Sequence, residues 1–388
     1  MHSNLQSKYV VSSISGTSLA VSLLLSLLTT QNSLAQTAPT PINGAGADVP
    51  NALYTSAGGW FDTYGAPAPA VNPNVQFNYA SVGSGKGVTA FVTQTPPPGT
   101  PTVAKPVSFG STTVPLTTSQ RTVTGSPNSG PPVQVPTVAS AIALPYNPSG
   151  LTVPSGGLKL SRATYVAIFN GVITNWNDAR ITADNNGTKV NNNLPIKVVV
   201  RADSSGATLA FTTHLQAISS SWTRGSGSTI TWPSTFIQVT GGSAIISTVS
   251  TTKGAIGYVD NPALSGTTLK AAVLQNKSNK YVTPSSAATS AALTGLTDTD
   301  SDARIITVKV PADPPASTAY PIVVTSYLLF YDIYKDAKVA NGIKGFIPWA
   351  FSSAGDTIAT SKGYAPLPTA LKTAANNVVQ TYVDTTKD

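Results

Sequence analysis

Arg201 opens the stretch Arg201-Ala-Asp-Ser-Ser-Gly-Ala-Thr208, whose residue types suit an anion. The guanidinium is permanently charged, and its planar fork of donors matches an oxyanion. The β-branched run Ile196-Lys-Val-Val-Val200 precedes it, and apolar residues follow at helical spacing: Ala207, Ala210, Phe211, Leu215 and Ile218, with His214 on the same stripe. The pattern predicts a strand, a turn of small residues and a helix. The first N–H groups of a helix lack internal partners and carry partial positive charge, so the turn offers hydroxyls and N–H groups to a negative ligand.

Two further turns have related chemistry. Val75, Phe77 and Tyr79 alternate as a strand, which leads into Val82-Gly-Ser-Gly-Lys-Gly87 and helical spacing from Val88 to Phe91. The spacing is not that of a nucleotide-binding P-loop, and solvent is the expected surrounding of Lys86. Gly44-Ala-Gly-Ala-Asp48-Val-Pro50 is a glycine cluster that reads first as a turn, although its small residues also permit close approach of a ligand. Helical spacing follows it from Asn51 to Tyr64.

The elements that must hold these turns alternate. Val107 to Leu116 is a buried strand and its exit, and Val133 to Tyr146 is a central strand that leaves the first domain. Leu158 to Asn170 is a helix capped by Ser161. Ser243 to Val249 is another helix, and Gly254 to Val259 a short buried strand. Tyr320 to Tyr331 is a strongly apolar strand returning to the first domain, and Ala337–Ala350 and Thr369–Tyr382 are terminal helices. The segments 94–105 and 117–132, rich in Pro and Thr, are expected to be loops. Such alternation implies α/β layers with parallel or mixed sheets.

Composition sets the bounds. The chain has 388 residues, enough for two domains, and a formal charge of +8 with no run of Lys or Arg, which fits an anionic ligand and gives no nucleic-acid stripe. All 15 acidic residues are Asp. Cysteine is absent, which excludes disulfides, thiol catalysis and cysteine metal sites. Residues 1–35 read as a secretory signal, with Lys8, an apolar run from about Leu19 to Leu28, and Ser33-Leu-Ala35 as the cleavage motif, so an exported, soluble chain beginning near Gln36 is expected.

Enzyme chemistry finds little support. No Gly-x-Ser-x-Gly elbow occurs, and the one histidine beyond the signal, His214, lies on the apolar stripe of its helix. Asp298-Thr-Asp-Ser-Asp302 imitates the start of a calcium loop, but Ala303 replaces its turn glycine and Lys309 its bidentate Glu. No catalytic residue, metal or cofactor is therefore expected.

Along most of this length the chain resembles the PstS-type phosphate-binding proteins of ABC transporters, especially their DING relatives. The likeness is carried in order by Ile42-Asn-Gly-Ala-Gly-Ala47, Val82-Gly-Ser-Gly85, Phe109-Gly110, Val135-Pro-Thr-Val-Ala139, Ile168-Phe-Asn-Gly-Val-Ile-Thr-Asn-Trp176, Arg201-Ala-Asp-Ser-Ser-Gly206, Gly254-Ala-Ile-Gly-Tyr258 and Tyr320-Pro-Ile322. It implies an α/β, two-lobed type II periplasmic-binding-protein fold with a ligand cleft between the lobes. Lobe I would be 36–143 plus 320–388 and lobe II 144–319, with chain crossings near Ala141–Pro145 and Ala319–Val324. The implied ligand is inorganic phosphate or a similar oxyanion, the implied partner an ABC permease, and the expected state a monomer. The ligand positions map to Asp48, Val49, Ser84, Thr113, Arg201, Asp203, Ser205, Gly206 and Ala207, with Asp203 steadying Arg201.

Three positions depart from the family. Asp48 and Ala207 stand where it has Thr, and Thr113 stands where it has the Asp that accepts the proton of hydrogen phosphate. A pocket made only of donors takes any compact oxyanion, whereas a carboxylate acceptor favours a protonated one. Two roles stay open for Asp48: the missing acceptor, supplied from the other side of the cleft, or a cap on the helix that follows. An exported surface or structural protein with an altered or lost ligand remains the alternative function.

Overall fold

The computed structural model describes residues 38–67 and 69–385; the expected signal sequence lies outside them. The chain begins with strand β1 (Thr40–Gly46), helices α1 (Asn51–Thr55) and α2 (Trp60–Tyr64), strand β2 (Val75–Ser81), helix α3 (Ser84–Thr93), and strands β3 (Phe109–Thr112) and β4 (Ser129–Ala143). The central part comprises β5 (Pro145–Tyr146), β6 (Lys159–Leu160), α4 (Arg162–Phe169), α5 (Ala179–Asp184), β7 (Lys197–Arg201), α6 (Gly206–Ile218), β8 (Ile237–Val239), α7 (Gly242–Thr251), β9 (Ala255–Ile256), β10 (Val259–Asp260), β11 (Lys270–Ala271), β12 (Val273–Gln275), β13 (Tyr281–Val282) and α8 (Ser286–Ala291). It closes with β14 (Val323–Tyr334), α9 (Ala337–Ala350), α10 (Ser353–Ser361), β15 (Ala365–Pro366), α11 (Thr369–Tyr382) and β16 (Asp384–Thr385).

Two main sheets result. The first runs β10-β4-β14-β3-β1-β2, with β15 beside β4 and β16 beside β14; the second runs β11-β5-β9-β7-β8. In the first, β1 lies parallel to β2 and β3, pairing Gly46 with Ser81 and Ser111. In the second, β7 lies parallel to β8 and β9. Parallel neighbours need long crossovers, which is why helices follow these strands. Loops leaving the carboxyl ends of such strands collect at one edge of each sheet, where open α/β sheets bind ligands.

Each sheet has its own core. Phe61, Phe77, Phe109 and Phe346 pack in the first, with Phe61 4.7 Å from Phe77 and 5.4 Å from Phe346 between ring centroids. Phe169, Phe211, Trp232 and Tyr258 pack in the second. Full burial of an apolar side chain is worth about 1.5–3 kcal/mol, so each core gives the strands beside it a fixed base. The chain passes between the sheets where β4 meets β5, and β14 returns alongside: Val323 pairs with Ala141, and the Ile142 N–H donates to the Ile322 carbonyl at 2.8 Å.

The helix bounds Ala337–Ala350 and Thr369–Tyr382 agree with their sequence periodicity, and Ser161 caps α4 by accepting from the Thr164 N–H. Three local expectations are corrected. Gly44 and Gly46 lie within strand β1, not in a turn. They are small because a Cβ on Gly44 would enter the Phe109 ring and one on Gly46 the Ser111 backbone, so protein, not ligand, fills the space. Residues 129–132, expected as loop, begin β4 because β14 offers them a partner as far as Ser129. Helix α10, capped by Ser352, lies in a stretch given no element by its sequence.

Candidate functional site

Arg201 ends β7 with its side chain 3% exposed. Its Nε and Nη2 donate to the two Asp203 carboxylate oxygens at 2.6 and 2.5 Å, a bidentate fork that fixes the guanidinium plane. Asp203 is held in turn by the Gly241 N–H at 3.1 Å. The Arg201 N–H donates to the Tyr258 hydroxyl at 3.1 Å, and the Trp232 indole N–H donates to its carbonyl at 3.2 Å. Burial opposes the positive charge, but the Asp203 hydrogen bond and the charges of Asp48 and Asp203 outweigh it, so the Arg201 pKa is raised. Burial opposes the Asp203 charge too, and the Arg201 hydrogen bond still brings its carboxyl below the usual range.

The turn that follows has Ser205 as N-cap of α6, its hydroxyl accepting from the Thr208 N–H at 3.4 Å. Gly206 and Ala207 form the first helical turn, where backbone donors have no partner inside the helix. Opposite, Ser84 opens α3 behind Gly83, whose φ of +87° favours glycine. The Ser84 and Thr113 hydroxyls lie 3.1 Å apart, and the Thr113 N–H also donates to Ser84 Oγ at 3.1 Å. Thr113 lies directly on Gly206, where any Cβ would overlap its side chain. Lys86 is exposed, as expected.

Asp48 comes from the loop after β1. Its Oδ2 lies 2.8 Å from Arg201 Nη2, its Oδ1 accepts from the Ser81 hydroxyl at 2.6 Å, and the Gly242 N–H reaches Oδ2 at 3.4 Å. Pro50, with no side-chain bond, occupies the cap position of α1. The capping role considered for Asp48 is therefore replaced by an ion pair that joins the two halves of the cleft.

One enclosed pocket of about 10 Å³ is lined by eight of the nine sequence-derived positions: Asp48, Val49, Ser84, Thr113, Arg201, Ser205, Gly206 and Ala207. The ninth, Asp203, stands behind Arg201. The pocket also holds three residues not anticipated from sequence, Tyr258, Val259 and Asp260. Tyr258 was within a matched motif, but Asp260 had no signal beyond being an acidic residue directly after a buried strand. A larger cavity of about 510 Å³ adjoins it, shares Asp48 and Asp260, and is lined also by Asn51, Ser243 and Lys362.

The other chemical candidates resolve as structural. Asp300 takes a bidentate pair from Arg121, with Nη1 at 3.0 Å, and Asp298 accepts from the Thr307 N–H at 2.9 Å. No cluster that could hold a metal ion occurs among the described residues. His214 is buried between the Tyr165 hydroxyl at 2.9 Å and the Ala312 carbonyl at 2.6 Å. Burial lowers its pKa to about 4. An unfolded histidine takes up its proton near pH 6.5, so this group costs stability as pH falls from about 6.5 to 4. We expect the free energy of unfolding to drop by about 2–3 kcal/mol through this group across that window. His214→Gln should flatten that slope in urea titrations at pH 7 and pH 4.5, and an unchanged slope would remove His214 as its source.

The fold and the site together define a two-lobed α/β binding protein of the type II periplasmic class, with its candidate ligand residues facing one another across the cleft. The chain belongs to the PBP superfamily, whose family model (PBP_like_2, "PBP superfamily domain") matches residues 50–354. Among curated relatives, the phosphate-binding protein PstS of Xylella fastidiosa strain 9a5c is 28% identical over 343 residues, covering 88% of this chain and 85% of its own. A Pseudomonas aeruginosa protein named alkaline phosphatase L is 30% identical over 357 residues, covering 86% of each chain. A solved structure, a high-affinity periplasmic phosphate-binding protein (PfluDING) bound with phosphate, shares the fold at a TM-score of 0.68 and 24% identity, covering 87% of this chain and 93% of that one. The PstS-type and DING resemblance seen in the motifs thus extends along the chain. No described helix is long and apolar enough to cross a membrane.

Proposed function

We propose that this protein is an exported, non-enzymatic solute-binding protein that captures inorganic phosphate, or a similar compact oxyanion, in the cleft and delivers it to an ABC-type permease. The lobes are taken as 36–143 plus 320–388 and 144–319, and the working form as a monomer. The observation that carries the reading is the buried Arg201 guanidinium, fixed by Asp203 at the start of α6 and facing the Ser84 and Thr113 hydroxyls. Arg201 and the first N–H groups of α6 supply charge and donors. Ser84, Thr113 and Ser205 supply hydroxyls that can turn either way. Relatives named as phosphate-binding proteins point to the same ligand.

Asp48 is the acceptor in this reading. Its oxygens keep lone pairs beyond those used by Arg201, Ser81 and Gly242, and a carboxylate accepts from the P–O–H of hydrogen phosphate while sulfate has no proton to give. Calorimetric titration of the mature chain with phosphate, repeated in excess sulfate, tests the function. Saturable micromolar binding of phosphate with weak competition is expected, and its absence would overturn the reading. Asp48→Asn should weaken phosphate about tenfold, the scale of one mispaired buried polar group, and narrow its preference over sulfate. Unchanged affinity and selectivity would remove Asp48 from the role.

A further inference from the structure

Asp260 ends β10, where Val259 and Asp260 pair with Ala143 and Ile142 of β4, the strand that enters the crossing. It is 2% exposed, its Oδ2 has no hydrogen-bond partner, and it lines the same pocket as Arg201, Ser84 and Gly206. We propose that Asp260 is a specificity-determining residue of the anion pocket, donating a hydrogen bond to the bound oxyanion as a neutral carboxylic acid. The proposal rests on the oxyanion reading above.

The chemistry follows from the placement. A buried carboxyl group with one oxygen unpartnered is costly to ionise, and a second carboxylate nearby makes it costlier; hydrogen bonds from the backbone N–H groups of Asp260 and Ala263 favour the ionised form without outweighing these two effects. Asp48, paired with Arg201, is that neighbour. Burial first, and the Asp48 charge second, push the Asp260 carboxyl up to about 8. The other groups facing Asp260 do not reverse this. Arg201 favours its ionised form, but its Nη2 is already shared by Asp48 and Asp203. Lys362, at the end of α10, lines the adjoining cavity, and Tyr364 and Tyr258 are buried phenols whose pKa values are raised, chiefly by burial.

Asp48 and Asp260 then divide the work between two carboxyl groups of opposite character. Asp48, in its ion pair with Arg201, accepts a hydrogen bond from the P–O–H of hydrogen phosphate. The neutral one donates to a charged phosphoryl oxygen, a contact that turns into repulsion once Asp260 loses its proton. Two groups of one type set apart by environment are a recurring mark of functional sites.

The experiment is phosphate affinity by calorimetry from pH 6 to 9.5 on the mature wild-type chain and on Asp260→Asn, whose amide keeps a donor and cannot ionise. Wild-type affinity should fall at least tenfold between pH 7 and 9.5, and the variant should lose most of that fall. Ligand titration, Lys362 and the tyrosines are common to both proteins and cancel in the comparison. Thermal melts without ligand give a second readout: the variant should gain stability relative to wild type as pH rises from 5 to 9. If both proteins bind phosphate with the same pH profile, the role of Asp260 is overturned and the phosphate reading stands. If neither binds phosphate at any pH, both fall together.

Discussion

Arg201→Met should abolish saturable phosphate binding and destabilise the fold by about 3–5 kcal/mol, the cost of breaking a buried ion pair from one side. The two effects have separate origins. Binding is lost because no other cation lines the pocket. Stability is lost because Asp48 and Asp203, with side chains 16% and 15% exposed, are left facing each other without their shared guanidinium. Adding Asp48→Asn and Asp203→Asn to Arg201→Met should therefore recover much of the stability and none of the binding. Urea unfolding reads the first effect and calorimetry the second. Phosphate affinity within tenfold of wild type in the single variant would show that the anion does not sit on Arg201.

Gly206→Ala should weaken phosphate binding at least 100-fold, about 2.7 kcal/mol, with a small effect on the stability of either core. The added methyl group overlaps the Thr113 side chain, which is 5% exposed and fixed by two contacts to Ser84. Thr113 and Gly206 come from opposite sides of the cleft, so the clash acts between the lobes and holds them apart. Small-angle scattering should then show a smaller phosphate-induced decrease in radius of gyration than in wild type. Thr113→Gly in the same chain removes the obstruction and should restore part of the closure. Wild-type affinity in Gly206→Ala would place the ligand elsewhere in the cleft.

Local periodicity made the local parts of this site legible. The strand into Arg201, the Ser205-capped helix and the Ser84 turn each follow from a few consecutive residues. What the sequence could not disclose depends on residues far apart in the chain. The ion pair of Asp48 with Arg201 exists only once two sheets face each other, so helix capping was an equally good account of Asp48. Asp260 lacked any pattern, because its meaning comes from being buried beside Asp48. The glycines of β1 were misread for the same reason: their small size answers to Phe109 and Ser111, which arrive more than sixty residues later. The short strands β6, β12 and β13, two or three residues each, are defined by their pairing and carry no periodicity of their own.

The paired crossing of β4 and β14 has a mechanical consequence. Two separate strands between lobes would allow swivel, shear and bending, but here the Ile142 N–H is bonded to the Ile322 carbonyl and Ala141 lies opposite Val323, so the crossings act as one ribbon. A two-stranded ribbon flexes out of its plane far more readily than it slides along its hydrogen bonds. Bending of this ribbon is therefore the expected motion between the lobes, like a flexure bearing in place of a ball joint. The Asp48–Arg201 pair and the Thr113–Gly206 contact both span the cleft, so bending at this ribbon should part or join the two together.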